Sequence, residues 1–302
     1  MLHHLEAAAL RSGLALLRAL GPERASNLAG AVARGIGPLL PVTRIAEANL
    51  RLALPALDDA ARRQVIRGTW DNLGRTIGEF PHLARIASLG ATASGPGCEM
   101  VGEEHARSLL QGGPAIILTG HMANWEVQPP AAAHYGIRFG IAYRAAANPE
   151  VDAVIAGLRR EGVGFAVPLF PKGAAGGRQA LRHLQQGGVL GVLIDQKQND
   201  GIPVPFFGVP AMTGTGLAAL ALRFRCPVYP VHAERLGPAR FRVVCEPPLP
   251  LPDSGDRQAD VRALMLAANA CMERWIRARP QEWLWLHRRW PKRRLPDGAG
   301  PV

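Results

Sequence analysis

Cysteine is scarce and scattered in this chain: Cys98, Cys226, Cys245 and Cys271 are the full set, and no two form a C-x-x-C pair. That spacing argues against a zinc knuckle and offers no disulfide framework, so a reducing compartment such as the cytoplasmic side is the simplest setting. Stacking aromatics are few, with 3 Tyr and 8 Phe, and no basic stretch is interleaved with aromatics before the C-terminus. Single-stranded nucleic acid therefore has no evident platform. Acidic residues are in deficit, 24 Asp+Glu against 35 Lys+Arg, and the resulting +11 biases the surface toward anionic partners. A long apolar run is missing too. Glu6, Arg11, Arg18, Glu23, Arg24 and Arg34 interrupt every early window long enough to cross a bilayer, and no secretory cleavage pattern stands out.

What is present is enough apolar sequence to bury a sizeable core: 302 residues, 48% hydrophobic. Leu10, Leu14 and Leu17, then Leu28, Val32, Ile36 and Leu39, recur at helical spacing. Such a stripe meets either a membrane surface or the protein's own core, and the pattern alone leaves both readings open. Asp58 and Asp59 predict the cap of a helix with Val65, Ile66, Trp70, Leu73, Ile77 and Phe80 on its apolar face. Residues 1–90 thus read as an all-helical region, membrane-associating on the first of those two readings, ended by the stretch GATASGPG.

Residues 91–302 read as an α/β domain. The runs AIILT, FGIAYR, GFAVPLF, VLGVLI, PVYPVHA and FRVVCE are the strand candidates, alternating with helices near 124–135, 149–161, 174–186 and 214–225. Strands this apolar predict a mostly parallel central sheet flanked by helices on both faces. SLLQGGPAIILTGH and RHLQQGGVLGVLIDQ repeat one pattern: helix end, glycine stop, buried strand, polar residue. They deliver His121 and Asp195, which would emerge together at the carboxyl rim if both strands run parallel. A last amphipathic helix after 256 leads into the tail WLWLHRRWPKRR.

The stretch TGHMANWE sets His121 five positions before Glu126. Within one helix that separation turns the side chains apart, but across a strand-to-helix turn they can meet. Glu126 would then hold one ring nitrogen of His121 in its N–H form, leaving the other to take a proton from a hydroxyl. No serine or cysteine stands nearby as a nucleophile. The chemistry suggested is direct attack of an acceptor hydroxyl on an acyl carbonyl, without an acyl-enzyme. A satisfied structural contact is the plainer alternative, and the H-x-x-x-x-E spacing lacks the geometry of a zinc motif. FPKGAAGGR, 170–178, adds Lys172 and Arg178 beside glycines as a phosphate-site candidate.

TGHMANWE, together with YRAAANP, DQKQNDGIPVPFFGVPAMTGTG, WLWLHRRW and the earlier RIAEANLRLALP, resembles the lipid A biosynthesis lauroyl/myristoyl (late) acyltransferases of the lysophospholipid acyltransferase superfamily. These segments span nearly the whole chain in the family's order. The resemblance implies transfer of a fatty acyl chain, usually from acyl carrier protein, to a hydroxyl of a lipid A precursor at the cytoplasmic face of the inner membrane. No cofactor beyond the acyl thioester co-substrate is implied, and no nucleic acid partner. Carried over by motif, His121 is the general base with Glu126 as its partner, Arg144 is the cation of the cleft, and Asn124, Arg159 and Asp195 are further substrate-site positions.

A carboxylate such as Asp195 more commonly caps local backbone amides, and Arg144 equally suits a surface ion pair. Family members commonly open with a spanning helix that this N-terminus does not match, so a monotopic anchor is expected. Phe206 and Phe207 in PVPFFG, read as a loop, would shape an acyl groove, dip into lipid or pack in the core. The tail's Trp283, Trp285 and Trp290, with Arg288, Arg289, Lys292, Arg293 and Arg294, suits anionic lipid or the acidic carrier. Other lipid acceptors, a non-catalytic lipid-binding module and a hydrolase are the remaining readings.

Overall fold

The computed structural model describes residues 2–90, 94–143 and 145–291. Five helices come first: α1 (Leu2–Leu20), α2 (Pro22–Ile36), α3 (Thr43–Ala53), α4 (Asp59–Glu79) and α5 (Leu83–Ser88). The expected cap of α4 is present, with the Asp58 carboxylate accepting from the Ala61 N–H at 2.7 Å. Such a cap contributes about 1 kcal/mol.

Strands and helices then alternate: β1 (Gly97–Val101), α6 (Glu103–Ser108), β2 (Ala115–Thr119), α7 (Gln128–His134), β3 (Phe139–Tyr143), α8 (Pro149–Val163) and β4 (Leu169–Pro171). They continue with α9 (Ala174–Gln185), β5 (Val189–Leu193), β6 (Ile202–Phe206), β7 (Val209–Thr213) and α10 (Gly216–Phe224). β8 (Val228–Gly237), β9 (Arg240–Cys245) and α11 (Arg257–Ala278) complete the set.

Seven strands form one sheet in the order β1-β9-β8-β2-β5-β3-β4, with every neighbouring pair parallel except β8 with β9. The sheet is therefore mostly parallel, as the apolar strand runs predict. Its two faces carry separate cores because side chains alternate along each strand. Ile116, Leu118 and Leu190 pack with the inner residues of α9, α10 and α11, while Ala115, Phe139, Val189 and Val231 pack with those of α5, α6 and α7.

Two sequence expectations give way. β6 and β7 form an antiparallel hairpin, so PVPFFG is largely strand and not loop. Pro203, Pro205 and Pro210 sit comfortably there, since a two-stranded ribbon is all edge and leaves N–H positions that no ladder needs. Phe206 and Phe207 are buried, Phe206 stacked on Trp290 at 5.5 Å between ring centres, so the core reading holds for them. The tail tryptophans are likewise interior. Trp283 and Trp285 are fully buried and Trp290 nearly so, and Arg289 lies beneath Phe206, donating to Met212 O at 3.0 Å and Thr213 Oγ1 at 2.8 Å. Burial pulls the Arg289 pKa down to about 10. These residues do not offer a docking surface; Arg288 is exposed, and Lys292, Arg293 and Arg294 lie outside the described residues.

The two N-terminal apolar groups also part company. Leu14 is buried and Leu10 and Leu17 are half-buried, whereas Leu28, Val32, Ile36 and Leu39 are exposed at 48, 51, 56 and 82%. Among the described residues no helix is long and apolar enough to cross a membrane.

Candidate active site

β2 and β5 are adjacent, parallel and in register, Thr119 beside Leu193. Two residues beyond that pair, the chain delivers His121 from one strand and Asp195 from the other. The repeated strand pattern thus brings the two polar residues to one rim. His121 Nδ1 lies 2.8 Å from Asp195 Oδ1, and Asp195 Oδ2 accepts from the His121 backbone N–H and from Trp283 Nε1, each at 2.8 Å. Three donors on two oxygens offset much of the cost of burying this carboxylate, which is otherwise several kcal/mol. Close approach here demands a glycine: a Cβ on Gly120 would stand 2.4 Å from the Met272 methyl and 3.2 Å from Asp195 Oδ2.

Because an ionised carboxylate only accepts, the 2.8 Å contact makes Nδ1 the N–H and leaves Nε2 with a free lone pair. Burial disfavours the imidazolium, but Asp195 outweighs it and holds the His121 pKa above the ordinary histidine value. Burial also opposes the charge on Asp195, and the His121 contact overcomes it, keeping the carboxyl below its usual range. Trp125 meets the imidazole edge-on at 4.8 Å. His287 donates from Nε2 to the Asp195 carbonyl at 3.0 Å, and burial lowers its pKa, so it serves as a neutral brace.

Glu126 is not the partner of the imidazole nitrogen. Its carboxylate is held by Arg159 of α8 in a two-pronged pair, Nε to Oε2 at 2.9 Å and Nη2 to Oε1 at 2.6 Å. A planar guanidinium matches a carboxylate better than an imidazole does, and the His121 Nδ1 position is already taken by Asp195. Glu126 still favours the imidazolium through its charge. Arg159, expected at the substrate site, accordingly spends two donors inside the protein.

Asn124 is fully buried, with Oδ1 capping the Glu126 N–H at 3.1 Å and Nδ2 donating to Glu79 Oε2 at 2.9 Å. Its side chain braces the turn and does not face a ligand. Glu79 anchors a buried cluster with Arg235, which also donates from Nε to Asn72 Oδ1 at 2.9 Å. Asn72 Nδ2 and Thr76 Oγ1 both donate to the carbonyl of Ala123, at 3.0 and 3.2 Å. Ala123 has φ +48° and donates its own N–H to the Glu282 carbonyl at 2.8 Å. A left-handed alanine costs about 1–3 kcal/mol and persists only when its surroundings enforce it. Here α4 holds it from one side and residues 282–284 from the other, with Met122 bridged to Trp283 and the Leu284 N–H on the His121 carbonyl at 3.1 Å.

A cavity of about 690 Å³ opens at this rim, lined by His121, Trp125, Glu126, Tyr143 and Arg159 near the dyad and by apolar residues beyond. Lys172 and Gly173 line it as well, whereas Arg178 points to solvent from α9 outside its wall. Gly176 has a packing reason, since a Cβ there would meet the Pro171 carbonyl at 1.7 Å. Arg144 lies outside the described residues. The thiols are poor nucleophiles: burial pushes Cys245, which lines the cavity, up to about 12 and Cys226 to about 11.

A histidine oriented by a buried aspartate thus stands at the mouth of a largely apolar cavity. None of the curated proteins compared with the chain matches it. The sequence model of the family described as bacterial lipid A biosynthesis acyltransferase matches residues 2–292. With that match over nearly its full length, the chain belongs to the bacterial lipid A biosynthesis acyltransferase family.

Proposed function

We propose that this acyltransferase moves a fatty acyl chain from an acyl carrier protein thioester to a hydroxyl of a lipid A precursor, forming an ester with no covalent enzyme intermediate. The observation that carries the reading is the 2.8 Å contact of His121 Nδ1 with Asp195, which aims a basic Nε2 at the cavity mouth. His121 Nε2 takes the proton of the acceptor hydroxyl as its oxygen attacks the thioester carbonyl. The tetrahedral oxyanion then collapses, the carbon–sulfur bond breaks, and the imidazolium returns its proton to the leaving thiolate. Asp195 stabilises the imidazolium throughout, and Glu126 adds to that stabilisation from the cavity wall. Lys172 and Arg144 are the cations we assign to the precursor's phosphates.

The test is mass spectrometry of a tetra-acylated lipid A precursor incubated with purified enzyme and acyl carrier protein thioesters. Addition of one acyl group is expected. Free fatty acid accumulating with no acylated lipid would instead identify a hydrolase.

We further assign the enzyme to the cytoplasmic face of the inner membrane, held there from one side. Leu28, Val32, Ile36 and Leu39 support this, since four exposed apolar side chains at helical spacing suit the acyl boundary beneath anionic headgroups. Val32→Glu combined with Ile36→Glu is expected to reduce co-sedimentation with phosphatidylglycerol vesicles at least tenfold. Unchanged vesicle binding would refute that assignment.

A further inference from the structure

The cavity has two unlike ends. At the rim it is bordered by polar groups, among them Lys172, Gln196 and Gln198. Below the rim its sheet-face part runs over the face where the register sets Gly191 between Ile117 of β2 and Ile141 of β3, while Phe170, Ala180, Leu217 and Leu220 line a second part on the opposite face. Ile117, Gly191 and Ile141 share a face, all three line the cavity, and Leu109 and Ala132 line it from the helical side. Gly191 lies four residues before Asp195, roughly 13 Å down the strand at about 3.3 Å per residue.

Nothing in the fold requires a glycine at that position. Its backbone is not among those with positive φ, and a Cβ built on it meets only the Gly140 carbonyl oxygen, at an ordinary 3.6 Å. Gly120 and Gly140 differ in this respect, since a Cβ on either would come within 2.4 Å of a neighbouring side chain. A glycine inside a strand also weakens it, because it gains conformational freedom in the unfolded chain and packs nothing. The position therefore forgoes stability in a strand where a β-branched residue would be favoured. What the missing side chain leaves is space in the cavity floor.

We propose that the sheet-face part of the cavity receives the acyl chain and that Gly191 is a specificity-determining residue, its missing side chain setting how long a chain the enzyme accepts. The proposal rests on the acyl-transfer reading above. A chain entering from the thioester carbonyl beside His121 would pass over Thr119 and reach the Ile117–Gly191–Ile141 level with its distal carbons. A larger side chain at 191 would stop it there, while the polar rim and the dyad would be untouched.

The experiment compares wild type, Gly191→Ala and Gly191→Val with octanoyl, decanoyl, lauroyl, myristoyl and palmitoyl acyl carrier protein in competition, reading the acylated lipid by mass spectrometry. Gly191→Val is expected to move the preferred chain shorter by at least two carbons and to lower kcat/KM for the longest wild-type donor at least tenfold. The Tm should stay level or rise. Gly191→Ala should shift the profile the same way by less. A folded variant with the wild-type chain profile overturns the proposal, as does unfolding of both variants, which would mean that position 191 has no free space. Wild-type enzyme that transfers no acyl group would instead refute the function on which the proposal rests.

Discussion

Replacing His121 by alanine is expected to lower acyl transfer by about 10² to 10⁴-fold at neutral pH, the range that a positioned general base supplies. The loss should fall on kcat, because the imidazole acts on the proton in flight and not on the bulk of either substrate. Removing the ring takes one of three donors from the buried Asp195 carboxylate but leaves the His121 backbone N–H and Trp283 Nε1 in place. The cost in stability is then about 1–3 kcal/mol, a lowered Tm and not a failure to fold. Single-turnover transfer within tenfold of wild type by the folded variant would remove His121 from the chemistry.

Asp195→Asn should be nearly as damaging, for a reason specific to this geometry. The carboxylate faces an N–H of the imidazole on Oδ1 and two N–H groups on Oδ2. An amide has one oxygen. If that oxygen faces His121 Nδ1, the new NH₂ points at two donors; if it is turned round, the NH₂ donates to Nδ1 and forces the proton onto Nε2, where the base is needed. Either way a loss of about 10² to 10⁴-fold follows.

The pH profile supplies a second readout of the same substitution. The proposed mechanism requires neutral imidazole, so activity should fall with acidification through the His121 pKa, which Asp195 holds above the ordinary value. Without that carboxylate burial dominates and the pKa drops, so the acid limb of kcat/KM in Asp195→Asn should move to lower pH while the plateau falls. An unmoved acid limb would show that another group controls the titration.

The TGHMANWE stretch illustrates how far local spacing carries. His121 stands just past a strand end and Glu126 in the next turn, as the local pattern predicts, yet the orienting acid is Asp195, 74 residues away. Loop geometry permits a His121–Glu126 contact, and nothing within eight residues reveals that Arg159 competes for the glutamate. The repeated helix–glycine–strand–polar pattern was the better signal, since it marks equivalent rim positions on strands that prove adjacent. α4 shows the same limit. Its apolar stripe predicts the helix and most of its buried face, but Ile77 is exposed while Asn72, Thr76 and Glu79 are buried to clamp Ala123 and Arg235.

Alternating apolar strands and capped helices were readable along the chain because hydrogen bonding and side-chain periodicity are local and repeat every two or 3.6 residues. Tertiary structure alone chose the partners: which carboxylate meets His121, which apolar stripe faces solvent, and that the tail's tryptophans build the wall behind the dyad. Those outcomes depend on competition among groups far apart in sequence for the same donors and the same buried volume. No periodicity encodes that competition, and it is resolved only when the chain closes on itself.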